Sequence, residues 1–105
     1  MVKLINNLHI ILMVINMFTD EEILEMAKKL NINFNYYSFN DLKTGIKIEL
    51  EHGLINPLTN VTDNNLEKTM KIALAHLNEF PNYYNNDYGL PAFEEVLKKK
   101  LKENT

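Results

Sequence analysis

Lys71 to Tyr84, KIALAHLNEFPNYY, constrains the fold of this chain more than any other stretch. Leu66, Met70, Ala73, Leu77 and Phe80 recur at spacings of four and three, laying one apolar stripe along a helix of about four turns. That stripe has to be buried against other elements. A neighbouring stripe, Ile72, His76, Glu79 and Tyr83, is only partly apolar, and sets an imidazole and a carboxylate three residues apart on one face. Pro81 removes a backbone donor and biases Phe80 away from helical geometry, so the helix is expected to kink or end before Tyr83 and Tyr84.

Three further helices are predicted around this one. Thr19-Asp-Glu-Glu22 has the form of a capping box, flanked by Phe18 and Ile23 as a hydrophobic staple. Ile23, Met26, Ala27 and Leu30 follow at helical spacing, and Asn31 can close the helix. Ser38 or Asn40 can cap a second helix through Glu51, with Leu42, Ile46 and Leu50 buried and Gly53 as its stop. Gly53 to Thr62 reads as a loop, and Thr62 or Asp63 as the cap of the central helix. Pro91 suits the first position of a final helix whose apolar face is Phe93, Val96, Leu97 and Leu101. The expected fold is all-α, a small bundle of about four helices occupying residues 17–105 as a single domain.

Residues 1–16 read as an apolar N-terminal extension, with Met17 an alternative start. The run from Ile10 to Ile15 is too short to cross a membrane, which needs about 20 residues. Its β-branched content suits a strand, while Leu4, Leu8, Ile11, Ile15 and Phe18 also fit a helix. Ile10, Ile11, Val14, Ile15 and Phe18 are expected to form an interface, because so small a core will not cover them.

Composition removes several function classes. With 105 residues, no Cys and a net charge of −3, the chain has neither disulfides nor thiolate metal sites. Its 11 basic residues are all Lys. Phosphate and base-edge recognition lean on the guanidinium fork, so no nucleic acid is expected as a partner. No membrane is expected either, and no secretory leader is recognised, which points to the cytoplasm.

From Met17 to about Tyr84 the chain resembles a family of short uncharacterised helical domains of bacteria, phages and large DNA viruses. MFTDEEILEMAKKLNINF, GIKIELEHG, TNVTDNN and KIALAHLNEFPNYY carry the resemblance. It implies a common domain starting at Met17 and a viral or phage setting, in host cytoplasm or virion. It implies no activity.

The residues that suggest chemistry are few. Glu49-Leu-Glu-His52 has the Glu-x-x-His spacing used in di-iron bundles, and His76-Leu-Asn-Glu79 presents the same residue types reversed. Glu49, His52, His76 and Glu79 together could hold iron, manganese or zinc, with Tyr83 and Tyr84 beside them. A tight antiparallel hairpin would keep the two pairs about 20 Å apart, although an extended loop at about 3.3 Å per residue could bring them together. Taken singly, His52 can serve a helix C-terminus, His76 can pair with Glu79 or the Tyr83 hydroxyl, and Glu51 can pair with Lys47. Two functions follow: a helical accessory domain working through a protein partner or as a homo-oligomer, or a metal-binding protein built on the Glu/His cluster.

Overall fold

The computed structural model describes residues 17–104. Among them it is all-α, with helices α1 (Asp20–Lys29), α2 (Phe39–Glu49), α3 (Leu66–Glu79) and α4 (Leu90–Glu103) and no strand. The segment Ile10 to Ile15, expected at an interface, lies outside the described residues. Phe18 is described, and packs half-buried against the core.

Local chemistry sets most of the boundaries. Thr19 and Glu22 exchange the two bonds of a capping box at the start of α1. At its end Asn31 takes φ of 56°, while the Ile32 N–H reaches the Ala27 carbonyl at 2.9 Å and the Asn31 N–H the Lys28 carbonyl at 3.0 Å. Those are the two bonds of a Schellman motif, with Asn supplying the left-handed residue. Ser38, rather than Asn40, caps α2, in a box with Asp41. α2 ends at Glu49, and a single 3₁₀ turn, Leu50–His52, carries the chain on to Gly53.

The start of α3 departs from expectation. Neither Thr62 nor Asp63 caps it; the Asn65 side chain does, accepting from the Lys68 N–H at 2.9 Å. Asp63 and Asn64 both have positive φ, 54° and 60°, so the helix cannot extend back through them. The loop before them folds onto the end of α2, where the His52 carbonyl accepts the Val61 and Thr62 N–H groups. Gly53 is required here for space, since an added Cβ would collide with Asn64 Oδ1, which accepts the Leu54 N–H.

α2 and α3 run in the same sense along their contact: Gly45 lies against Ala73, and Glu49 against His76. The returning loop makes this possible, and it removes the 20 Å separation that an antiparallel hairpin would impose. Ile23 and Ala27 of α1, Leu42 and Ile46 of α2, Leu50, and Met70, Ala73 and Leu77 of α3 form the core. Tyr84, from the loop after α3, completes it.

Five expected apolar residues fall outside this core. Phe80 is exposed, because the residue before Pro81 adopts extended geometry (φ −135°, ψ 103°) and leaves the helical stripe. Phe93, Val96, Leu97 and Leu101 do form one stripe on α4, but no residue of that helix is buried.

Truncating Leu77 to Ala is expected to cost about 2–5 kcal/mol in urea denaturation, as a fully buried leucine should. Gly45→Ala tests the packing differently. Helix propensity alone would favour it by about 1 kcal/mol, yet its Cβ would come within 2.5 Å of the Tyr84 ring. Net destabilisation is expected; stabilisation would contradict the close approach.

Candidate metal centre

Glu49 is the last residue of α2, and its carboxylate is almost completely buried, with 3% side-chain exposure. A buried charge of this kind persists only when partners replace its water. Its two oxygens meet different partners. Oε2 accepts a 2.7 Å hydrogen bond from the Tyr84 hydroxyl and lies 3.6 Å from His76 Nε2. Oε1 lies 3.4 Å from His52 Nε2, which is in turn 3.5 Å from Glu51 Oε1.

Helix C-termini and one Pro-induced turn assemble this arrangement. The 3₁₀ turn after α2 swings Glu51 and His52 back beside Glu49. On α3, His76 occupies the last turn, and its ring stacks on Tyr83 with centroids 4.1 Å apart and planes 8° from parallel. Tyr83 and Tyr84 meet edge to face at 4.9 Å. The loop holding them is tied by the Tyr83 N–H to the Phe80 carbonyl and by the Leu90 N–H to the Tyr83 carbonyl.

Negative charge accumulates around the cluster. Burial pushes the Tyr84 phenol far above its ordinary value, and the hydrogen bond to Glu49 adds to the rise. Burial likewise raises the Tyr83 phenol, followed by the charges of Glu49, Glu94, Glu51 and Glu79. The Glu51 carboxyl is raised by burial; His52 pulls it back, while Glu49 and Glu94 push it further up. A cation placed here would offset the carboxylate share of each rise, not the share due to burial.

Glu49, Glu51 and His52 each offer a ligand atom, and the three atoms lie within 4.8 Å of one another. The cluster is capable of coordinating a divalent cation. With metal–ligand distances of about 2.0–2.1 Å, the edge of a tetrahedral site is about 3.3–3.4 Å. The separations of 3.4 and 3.5 Å between His52 Nε2 and the two carboxylates match that edge. They are long for hydrogen bonds, which run at about 2.7–3.2 Å.

Of the four residues expected from sequence, Glu49, His52 and His76 come together. Glu79 does not: it is exposed on α3 and no ion pair joins it to His76. His76 directs Nε2 at Glu49 instead. Glu51, expected to pair with Lys47, faces His52. Its signal in the sequence was only its place inside Glu49-Leu-Glu-His52, because a 3₁₀ turn rather than an α-turn brings it onto the same side.

The family of proteins of unknown function DUF5661 matches residues 23–91. The chain belongs to that family. No curated protein and no solved structure matches it. The DUF5661 match takes in Glu49, Glu51, His52, His76, Tyr83 and Tyr84, and stops as α4 begins.

Tyr84→Phe should cost about 1–3 kcal/mol near pH 7 in chelator-treated protein, by leaving Glu49 Oε2 without its donor. Because the folded phenol holds its proton above the ordinary value of 10.0, its contribution is complete below that pH. It is lost as pH rises from there toward the folded pKa. Urea titrations should therefore show stability falling at alkaline pH more steeply in the wild type than in Tyr84→Phe. Equal slopes would contradict the buried phenol.

Proposed function

We propose that this chain is a divalent-metal-binding protein, with Glu49 Oε1, Glu51 Oε1 and His52 Nε2 as its ligands. The observation that carries this reading is the convergence of those three donors within 4.8 Å, with His52 Nε2 at 3.4 and 3.5 Å from the two carboxylates. An oxygen and imidazole set without sulfur suits zinc, iron or manganese, and the spacing favours zinc. Three protein donors leave a fourth position for water or a substrate.

His76 and Tyr84 act from behind the carboxylate. Both approach Oε2, so they orient Glu49 and leave Oε1 turned toward His52. Outer partners of this kind typically change affinity 10–100-fold when removed. Acid should also weaken binding, because His52 must be neutral to donate a lone pair to the metal.

Elemental analysis and zinc titration of the full chain test the assignment. Near-stoichiometric zinc is expected in the wild type and none in His52→Ala. His76→Ala should bind roughly 10–100-fold more weakly, and Glu79→Gln should bind like the wild type. Absence of zinc, iron and manganese from the wild type after incubation with each ion would overturn the proposal. Loss of metal in Glu79→Gln but not in Glu51→Gln would overturn the ligand assignment.

A further inference from the structure

α4 carries an apolar stripe that the core does not use. Phe93, Leu97 and Leu101 lie at intervals of four along it, with Val96 beside them, and they are 64%, 66%, 68% and 55% exposed respectively. Among the described residues nothing covers this stripe. At its N-terminal end it runs into an apolar groove of about 350 Å³, walled by Phe80, Tyr83, Tyr88, Leu90 and Phe93. An exposed apolar surface of this extent marks an interaction site.

Charge along the helix selects the occupant. Glu94 and Glu95 stand in its first half, and Lys98, Lys99, Lys100 and Lys102 in its second, where Glu103 pairs with Lys100 at 3.4 Å and leaves the half net basic. Lys98 pairs with Glu95 at 3.3 Å on the exposed surface, a bond worth little and readily exchanged. Glu94 has no ion pair among the described residues, and it flanks the same edge of the stripe as Lys98.

We infer that α4 is a homodimer interface, pairing antiparallel with α4 of a second copy about a two-fold axis near Leu97. Antiparallel pairing sets the acidic half of each helix against the basic half of the other, and brings Glu94 within reach of the partner's Lys98, twice by symmetry. It also sets Leu101 of each copy over Phe93 and the groove of the other, filling both grooves. Parallel pairing would align like charges and leave both grooves open. The helix is only about 21 Å long, so the interface is at the small end of specific contacts and the dimer exchanges with monomer.

Sedimentation of the full chain between about 1 and 200 µM tests this, as that range brackets weak association. The mass is expected to double across the series, with Leu97→Glu shifting the transition at least about tenfold to higher concentration. Circular dichroism of dilute Leu97→Glu should match the wild type, since Leu97 is exposed in the monomer. Glu94→Lys and Lys98→Glu should each dimerise poorly alone and recover when mixed. A wild type that stays monomeric throughout would overturn the inference. If deletion of residues 1–16 then produced dimers, the face would be covered by its own chain. A dimer insensitive to Leu97→Glu, or variants that fail to recover on mixing, would overturn the interface or its antiparallel sense.

Discussion

The carboxylate of Glu49 is the constraint on which the rest of this structure turns. A charge at 3% exposure requires replacement of its water, and each replacement comes from a different part of the chain. Tyr84 arrives from beyond Pro81, His76 from the last turn of α3, and His52 from the turn after α2. For all three to meet one carboxylate, the C-terminal ends of α2 and α3 must lie side by side. The long return through residues 53–65 is the topological consequence. Gly45 and Ala73 are small where α2 and α3 meet the Tyr84 ring, which lets that phenol reach inward.

The same geometry divides the carboxylate into two functions. Oε2 is held inside by a hydroxyl and an imidazole, and Oε1 is turned toward the half-exposed His52 and the exposed Glu51. Burial alone would make Glu49 a cost to the fold. Fixing one oxygen while presenting the other, amid further negative charge from Glu51 and Glu94, is what the proposed metal site would use as a pre-oriented donor. α4 contributes Glu94 to that charge, but its apolar stripe lies outside the core and mostly beyond the DUF5661 match.

Much of this was legible in the residues, and what was not has physical reasons. The capping box at Thr19, the Asn31 closure and the break before Pro81 are local devices, decided by residues within one turn of each other. The closeness of Glu49 and His52 was legible for the same reason. The helical period of α3 showed that Met70, Ala73 and Leu77 share a face, and they are buried. Period cannot say where a stripe leaves the helix, so Phe80 was misplaced. Nor can it say whether anything covers a stripe, and the apolar face expected on α4 stays exposed. Asn65 replaced Thr62 and Asp63 as a cap because two left-handed residues intervene, a backbone feature that composition does not display. Glu51 stands beside His52 because of a 3₁₀ turn, and His76 reaches Glu49 because α2 and α3 cross in the same sense, while Glu79 stays exposed; neither feature can be read from spacing.

In the proposed site an imidazole and two carboxylates of one short turn share a cation. Zinc K-edge absorption spectroscopy of the zinc-loaded full chain at neutral pH addresses this most directly. A four-coordinate ion is expected, with oxygen and nitrogen scatterers at about 2.0–2.1 Å and the outer-shell signature of a single imidazole. Two imidazoles would make His76 a ligand and contradict its place behind Glu49. An all-oxygen shell resembling the hydrated ion would contradict the site itself.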